Sequence, residues 1–278
     1  MTMVAEGSAT PGSPVASATR WRRDRWVILG GVGCIAAAAW IYVLVQARQI
    51  STGVMTTSMG GAMQSAGHAP TWTAVEFALM LLMWAVMMVA MMLPSALPMT
   101  LVYAAVVRTA RGQHPMAPTS LFIAGYLTMW GLFALAATAV QMVLSQSSVL
   151  TSAMAVASPR LAGGLLIAAG AYELTPLKHA CLAQCRAPAR CIARHGQAGP
   201  SGGLWTGLAL GATCLGCCWI LMGLLFVGGV MNLEWIAAIA LFILFEKTAT
   251  VGVAAGRVAG ALLVLLGVLS LTGAIGVT

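Results

Sequence analysis

A chain of 278 residues that is 60% hydrophobic and only 7% charged falls far below the ~25% charged residues of soluble domains, which excludes an ordinary soluble enzyme and points to an integral membrane protein. The formal net charge of +8 sits in short loops between apolar runs, with no basic groove and no interleaved aromatics. It therefore signals membrane orientation and lipid-phosphate contact, and nucleic acid is excluded as a partner. The apolar runs are continuous, which excludes a β-barrel, so the expected fold class is an all-α, polytopic helical membrane bundle of about seven transmembrane helices.

In chain order, residues 1–25 form a basic N-terminal tail, rich in Ala, Ser, Thr, Gly and Pro and expected to be disordered over 1–19, which ends in RWRRDR. The transmembrane domain is expected over 26–278. Span 1 covers 26–47. The loop 48–71 carries Met55, Met59, Met63 and His68 at a spacing that aligns the methionines if helical, although Gly60 and Gly61 argue against a helix there. Span 2 covers 72–93 and is expected to break or kink at Pro94 and Pro98, with 99–107 completing a bent helix. Span 3 covers 119–143. Span 4 covers 161–175 and ends at Pro176. A basic loop follows, then span 5 over 204–227. Span 6 is clearly apolar only over 234–245, short for a crossing, and span 7 covers 258–275.

Basic residues concentrate before span 1, after spans 2 and 4, and around Lys247 to Arg257. The positive-inside rule then puts the N-terminus in the cytoplasm and the chain in the cell inner (plasma) membrane as a multi-pass protein; a re-entrant span 6 returns the C-terminus to the cytoplasm. Trp21, Trp26, Trp72, Trp205 and Trp235 fall near span ends, as an aromatic belt does. The cysteine count of seven is odd, and most cysteines are expected on the reducing side, so structural disulfides are not expected.

Sulfur dominates the candidate site. Cys214, Cys217 and Cys218 follow i, i+3, i+4, so they share one helical face. Three thiols within a turn suit a soft ion, Cu(I) or alternatively Zn(II). Cys181 and Cys185 are one turn apart, with His179 and Cys191 close in sequence. The topology puts this pair at the membrane surface and Cys214 some ~15 Å deeper, so the two groups meet only if the Cys181 segment dips inward or span 5 starts later. The competing readings are cysteine as a small apolar side chain and, for Cys181 and Cys185, acylation at the interface.

Glu173 lies within an apolar span, where a carboxylate is costly and faces a cavity or a partner. It reads as a metal ligand, a proton carrier, the anchor of a ligand histidine, or a salt-bridge partner of Lys178. Along span 2, Glu76, Met80, Met83, Met87 and Met91 step by 4, 3, 4 and 4 along one face, with Met88 and Met92 on the adjoining face. Thioethers select Cu(I), so this series reads as a metal pathway fed from the Met55–His68 loop, against plain helix packing. Asn232 and Glu234 fall at the outer mouth of span 6. Glu246 and Lys247 read as an interfacial ion pair at its inner end, with Glu246 joining the metal site as the alternative. His114 and His195 sit in basic loops and read as solvated.

The segments MWAVMMVAMMLPSALP, GYLTMW, YELTPLKHACLAQCR, the G-x-x-C-x-G-C-C-W run at Gly211–Trp219, MNLEW and FEK together resemble the DUF2182 family, described as predicted metal-binding integral membrane proteins. The resemblance covers roughly residues 72–250. It carries over to Met91, Met92, Pro94, Glu173, Pro176, Lys178, Cys181, Cys185, Cys214, Cys217, Cys218, Asn232, Glu246 and Lys247, and implies a membrane fold and a metal without naming the metal.

Three functions compete. The first is soft-metal transport or delivery, with copper the metal and a metallochaperone or a membrane oxidase the partner. The second is a non-transporting scaffold or assembly subunit with a structural thiol site, and the third a membrane thiol redox protein using the C-x-x-C of Cys214 and Cys217. No phosphate-binding glycine loop, HExxH or serine nucleophile elbow is present.

Overall fold

The computed structural model describes residues 14–51, 72–111, 115–147, 149–150, 154–189, 192 and 201–274. Met55, Met59, Met63, His68, His114, Cys191 and His195 lie outside the described residues, as does the start of the tail. The described chain forms α1 (Pro14–Ser51), α2 (Ala74–Arg111), α3 (Met116–Gln146), α4 (Pro159–Glu173), α5 (Pro176–Arg186), α6 (Ser201–Gly223), the single turn α7 (Leu225–Gly228), α8 (Leu233–Thr248) and α9 (Gly252–Leu271). Among the described residues the β-structure is one isolated bridge, Leu150 to Val156.

Five of these stretches are long and apolar enough to cross a membrane: Trp21–Arg48, Ala74–Thr109, Met116–Gln146, Ser201–Gly228 and Gly252–Leu271. They correspond to expected spans 1, 2, 3, 5 and 7. The helices at expected spans 4 and 6 are only 15 and 16 residues long, short of the ~20 that a crossing takes. Helix α1 begins at Pro14, so part of the expected tail is helical.

Local chemistry sets several helix ends. Thr73 and Glu76 form a capping box at the start of α2: Thr73 N donates to Glu76 Oε2 (2.7 Å) and Glu76 N donates to Thr73 Oγ1 (3.2 Å). Thr175 caps α5, with Pro176 as its first residue. Asn232 caps α8 by accepting from Trp235 N (3.2 Å).

The expected break at Pro94 and Pro98 does not occur; α2 is one helix of 38 residues with both prolines inside. Near the prolines the Met92 carbonyl accepts from Ser95 Oγ (2.9 Å) and from Tyr126 OH on α3 (3.4 Å). The carbonyls that lose their helical N–H are those of Ala90 and Pro94, four residues before each proline.

Small residues set how the helices pack. Helices α3 and α6 run parallel with backbones in direct contact: Gly203 faces Pro118, Gly207 faces Phe122 and Gly211 faces Tyr126. A Cβ at Gly207 would collide with the Phe122 carbonyl. Helices α4 and α9 run antiparallel through Gly163 against Gly267 and Gly170 against Gly260. In lipid, where apolar contact alone gives no preference for a neighbour, such close backbone approach drives association. Helices α1 and α2 are antiparallel, tied at one end by Arg108 Nη1 to Asp24 Oδ2 (2.8 Å). The core lies along α2, α3 and α6, with Trp84, Met88, Met92, Trp130 and Cys214 sealed inside.

Candidate metal centre

Cys214 lies halfway along the apolar stretch Ser201–Gly228 of α6, and the site is built around it. The Thr175–Pro176 break turns the chain after α4 so that α5 runs back along the middle of α6. Gln184 then sits beside Thr213, whose Oγ1 donates to Gln184 Oε1 (3.4 Å). Cys181 Sγ lies against Gly216, 3.1 Å from where a Cβ would stand. The two cysteine groups therefore meet, because α5 lies beside the middle of α6.

This approach brings three thiols together. Sγ atoms of Cys185, Cys214 and Cys217 all lie within 4.8 Å of one another, and all three residues are buried. Cys185 and Cys217 are 4.0 Å apart. Cys218 is buried beside this group, its Sγ donating to the Cys214 carbonyl (2.9 Å) as Cys217 Sγ does (3.0 Å), but it is not one of the three mutually close sulfurs. Cys181 is half-buried at the edge of the group. His179 is half-buried in the first turn of α5 and lies outside the thiol group.

A cation flanks the thiols. Lys247 Nζ donates to Cys214 Sγ (2.9 Å) and to Ser95 Oγ (3.2 Å), and Tyr126 OH lies 2.9 Å from Cys214 Sγ. Two other helices thus reach the Cys214 sulfur, α3 through Tyr126 and α8 through Lys247, and Ser95 of α2 holds Lys247 in place. Composition and spacing did not single out Ser95 or Tyr126; each is an ordinary polar residue within an apolar helix.

Beside the thiols sits a second buried cluster. Lys178 Nζ donates to Glu173 Oε2 and to both oxygens of Glu246, at 2.6 and 2.8 Å. Exposure of the Lys178 and Glu173 side chains is 0% and of the Glu246 side chain 4%. Among the described residues, Glu173 Oε1 has no hydrogen-bond partner. Glycines on α9 admit the carboxylates: Gly256 lies under Glu246 and Gly260 against the Glu173 Cβ. Arg186 Nη1 donates to the Glu246 carbonyl (3.3 Å), holding α5 to the end of α8. Glu246 and Lys247 do not form the expected interfacial pair. Successive residues on a helix point ~100° apart, and each has its own buried partner.

Met80, Met83, Met87, Met88, Met91 and Met92 are all buried in the core. Glu76, at the head of that series, serves in the capping box of α2. Further along, Trp84 Nε1 donates to Gln141 Oε1 (2.6 Å), and Gln141 Nε2 donates to Met154 Sδ (3.1 Å).

The donor set fits a soft monovalent ion. With metal–sulfur bonds of about 2.3 Å, a trigonal centre places its sulfurs about 4 Å apart, close to the 4.0 Å between Cys185 and Cys217. Structural zinc takes four ligands; among the described residues three thiols are mutually within 4.8 Å, with Cys218 buried next to them.

No curated protein and no solved structure matches the chain. A family described as a copper chaperone, PpoB2, matches residues 81–270. The matched stretch contains all three clustered thiols, Lys247 and the Glu173–Lys178–Glu246 cluster, while Glu76 and Met80 precede it. With well over half of its length matched, the chain belongs to the PpoB2 copper chaperone family.

Proposed function

We propose that this protein binds Cu(I) within the membrane through Cys185, Cys214 and Cys217 and passes it to a membrane partner such as an oxidase, with its N-terminus in the cytoplasm of a cell whose inner membrane it spans. The observation that carries the reading is the convergence of three buried thiols from two helices within 4.8 Å. Thiolates are soft ligands suited to Cu(I), and burial protects the bound ion from water and oxidant. Lys247 offsets the negative charge that metal-bound thiolates bring into a medium where an unpaired charge is costly. Glu173 and His179 act on this reading as structural neighbours, and Cys181 and Cys218 as flanking thiols.

The buried methionines of α2 support a route toward the thiols. Met80, Met83, Met87 and Met91 line up along a helix whose later turn supplies Ser95 to Lys247. Weak thioether ligands pass an ion along without trapping it.

The test is anaerobic Cu(I) titration of the purified, reduced protein in detergent against a competing chelator. Wild type binds one high-affinity Cu(I), and the C185A/C214A/C217A variant loses it. Equal binding by the two removes the thiol site and leaves a membrane scaffold. Tighter retention of Zn(II) than of Cu(I) gives the metal as zinc.

A further inference from the structure

The Glu173–Lys178–Glu246 cluster plays no part in holding copper as described above, yet its charges are almost wholly buried. Two carboxylates share one ammonium, and Glu173 Oε1 has no hydrogen-bond partner among the described residues. We propose that Glu173 is the proton acceptor of the copper site: it is ionised while the site is empty, and takes up one of the protons that the thiols give up when Cu(I) binds.

The argument is a charge count in a low-dielectric interior. With its thiols protonated, the buried charges here are Lys178 and Lys247 against Glu173 and Glu246, which cancel; Arg186, on the Glu246 carbonyl, is half-buried and screened by solvent. Metal ligation requires thiolates, so loading releases protons. Cu(I) on two thiolates leaves one negative charge in excess, and on three it leaves two. Such an excess is expensive away from water. A proton on Glu173 removes one unit of it. The balance is Cys–SH plus Cu(I) plus Glu173 carboxylate giving Cys–S–Cu plus Glu173 carboxylic acid. No electron moves and no further reactant is needed.

Geometry favours Glu173 over Glu246 as the acceptor. Both Glu246 oxygens are engaged by Lys178, whereas one Glu173 oxygen is vacant. The groups facing Glu173 are few. Helix α5 presents Lys178 and α8 presents Glu246. From α9 come the glycines at 256 and 260, and its Arg257 is exposed. Helix α6 presents Cys217 and Cys218 beyond Tyr172, which binds the Gly216 carbonyl. Helix α7 has no titratable residue. A rigid link joins the two clusters, because Glu246 and Lys247 are consecutive on α8 and Lys247 touches Cys214.

This inference rests on the thiol reading, and its test separates the two. Protons released per Cu(I) are counted in weakly buffered, reduced detergent solution for wild type, E173Q, E246Q and C185A/C214A/C217A. The expected result is that E173Q binds the same amount of Cu(I) and releases about one proton more per ion than wild type. Equal release with binding intact overturns the proposal and spares the thiol site. Undiminished Cu(I) binding by the triple cysteine variant overturns the thiol reading, and the proposal with it. Should E173Q fail to fold, the infrared difference spectrum of wild type decides: loading with Cu(I) adds a protonated-carboxyl band. Absence of that band, or its loss in E246Q, overturns the assignment to Glu173.

Discussion

Glu246 and Lys247 are neighbours in the chain, yet they serve two different clusters: Glu246 grips Lys178 at 2.6 Å, while Lys247 donates to Cys214 Sγ at 2.9 Å. The end of α8 is therefore the hinge between the charged cluster and the thiols, and substitutions on either side separate their roles.

Thiols that converge should differ in consequence from the thiol that does not. Cys214→Ala removes the sulfur on which Lys247 and Tyr126 also rest. Loss of an outer-shell partner already costs 10–100-fold in metal affinity, so loss of this sulfur is expected to exceed ~100-fold. Cys218→Ala removes a bond to the Cys214 carbonyl and a thiol outside the three-sulfur group, and is expected to cost no more than about tenfold in affinity, since a lost neutral hydrogen bond is worth about 0.5–1.5 kcal/mol. Competition titration with a Cu(I) chelator reads both.

Lys178→Met leaves Glu173 and Glu246 buried beside each other without a cation. Removing one partner of a buried ion pair costs about 3–5 kcal/mol, so its unfolding transition in detergent should fall well below that of wild type. The apolar triple variant E173L/K178M/E246L should recover most of that loss, because replacing all partners removes the desolvation penalty together with the attraction. A triple variant no more stable than Lys178→Met would show that the cluster fastens α5 to α8 by more than charge neutrality.

Gly207→Ala places a methyl group against the Phe122 backbone where α3 and α6 touch. Overpacking of this kind costs about 1–3 kcal/mol and should lower thermal stability in detergent. Gly31→Ala on α1 meets nothing within 4 Å and should leave stability unchanged or raise it by up to ~1 kcal/mol, since alanine is the better helix former. The pair of variants measures the helix contact itself, since both replace a helical glycine.

The methionines of α2 are open to a kinetic test. Leucine is close to methionine in volume, so M80L/M87L should cost less than ~1.5 kcal/mol and leave equilibrium Cu(I) affinity at the thiols unchanged. If the series conducts the ion, the variant loads proteoliposome-embedded protein more slowly than wild type. Identical loading rates would assign these side chains to packing alone.

Much of the framework is legible in the chain because lipid imposes a local rule: a segment that crosses must be apolar along its whole length. The positions of the five long helices follow from that rule, as does the shared face of Cys214 and Cys217, which needs only the helical repeat. Pro94 misleads because its effect is not local: α2 stays one helix inside a packed bundle, with Ala90, Met92 and Ala96 buried around the proline.

By itself, then, the sequence determined a helical membrane protein with sulfur and a buried carboxylate at its centre, since burial preference and helical spacing are properties of short segments. Tertiary structure alone decided which side chains meet. Cys185 joins Cys214 because α5 doubles back at Thr175–Pro176 and lies against the bare backbone of Gly216. Lys247 reaches a thiol, rather than its neighbour Glu246, because α8 ends between two clusters supplied by other helices. Such encounters depend on contacts between residues far apart in the chain, and no spacing along one helix encodes them.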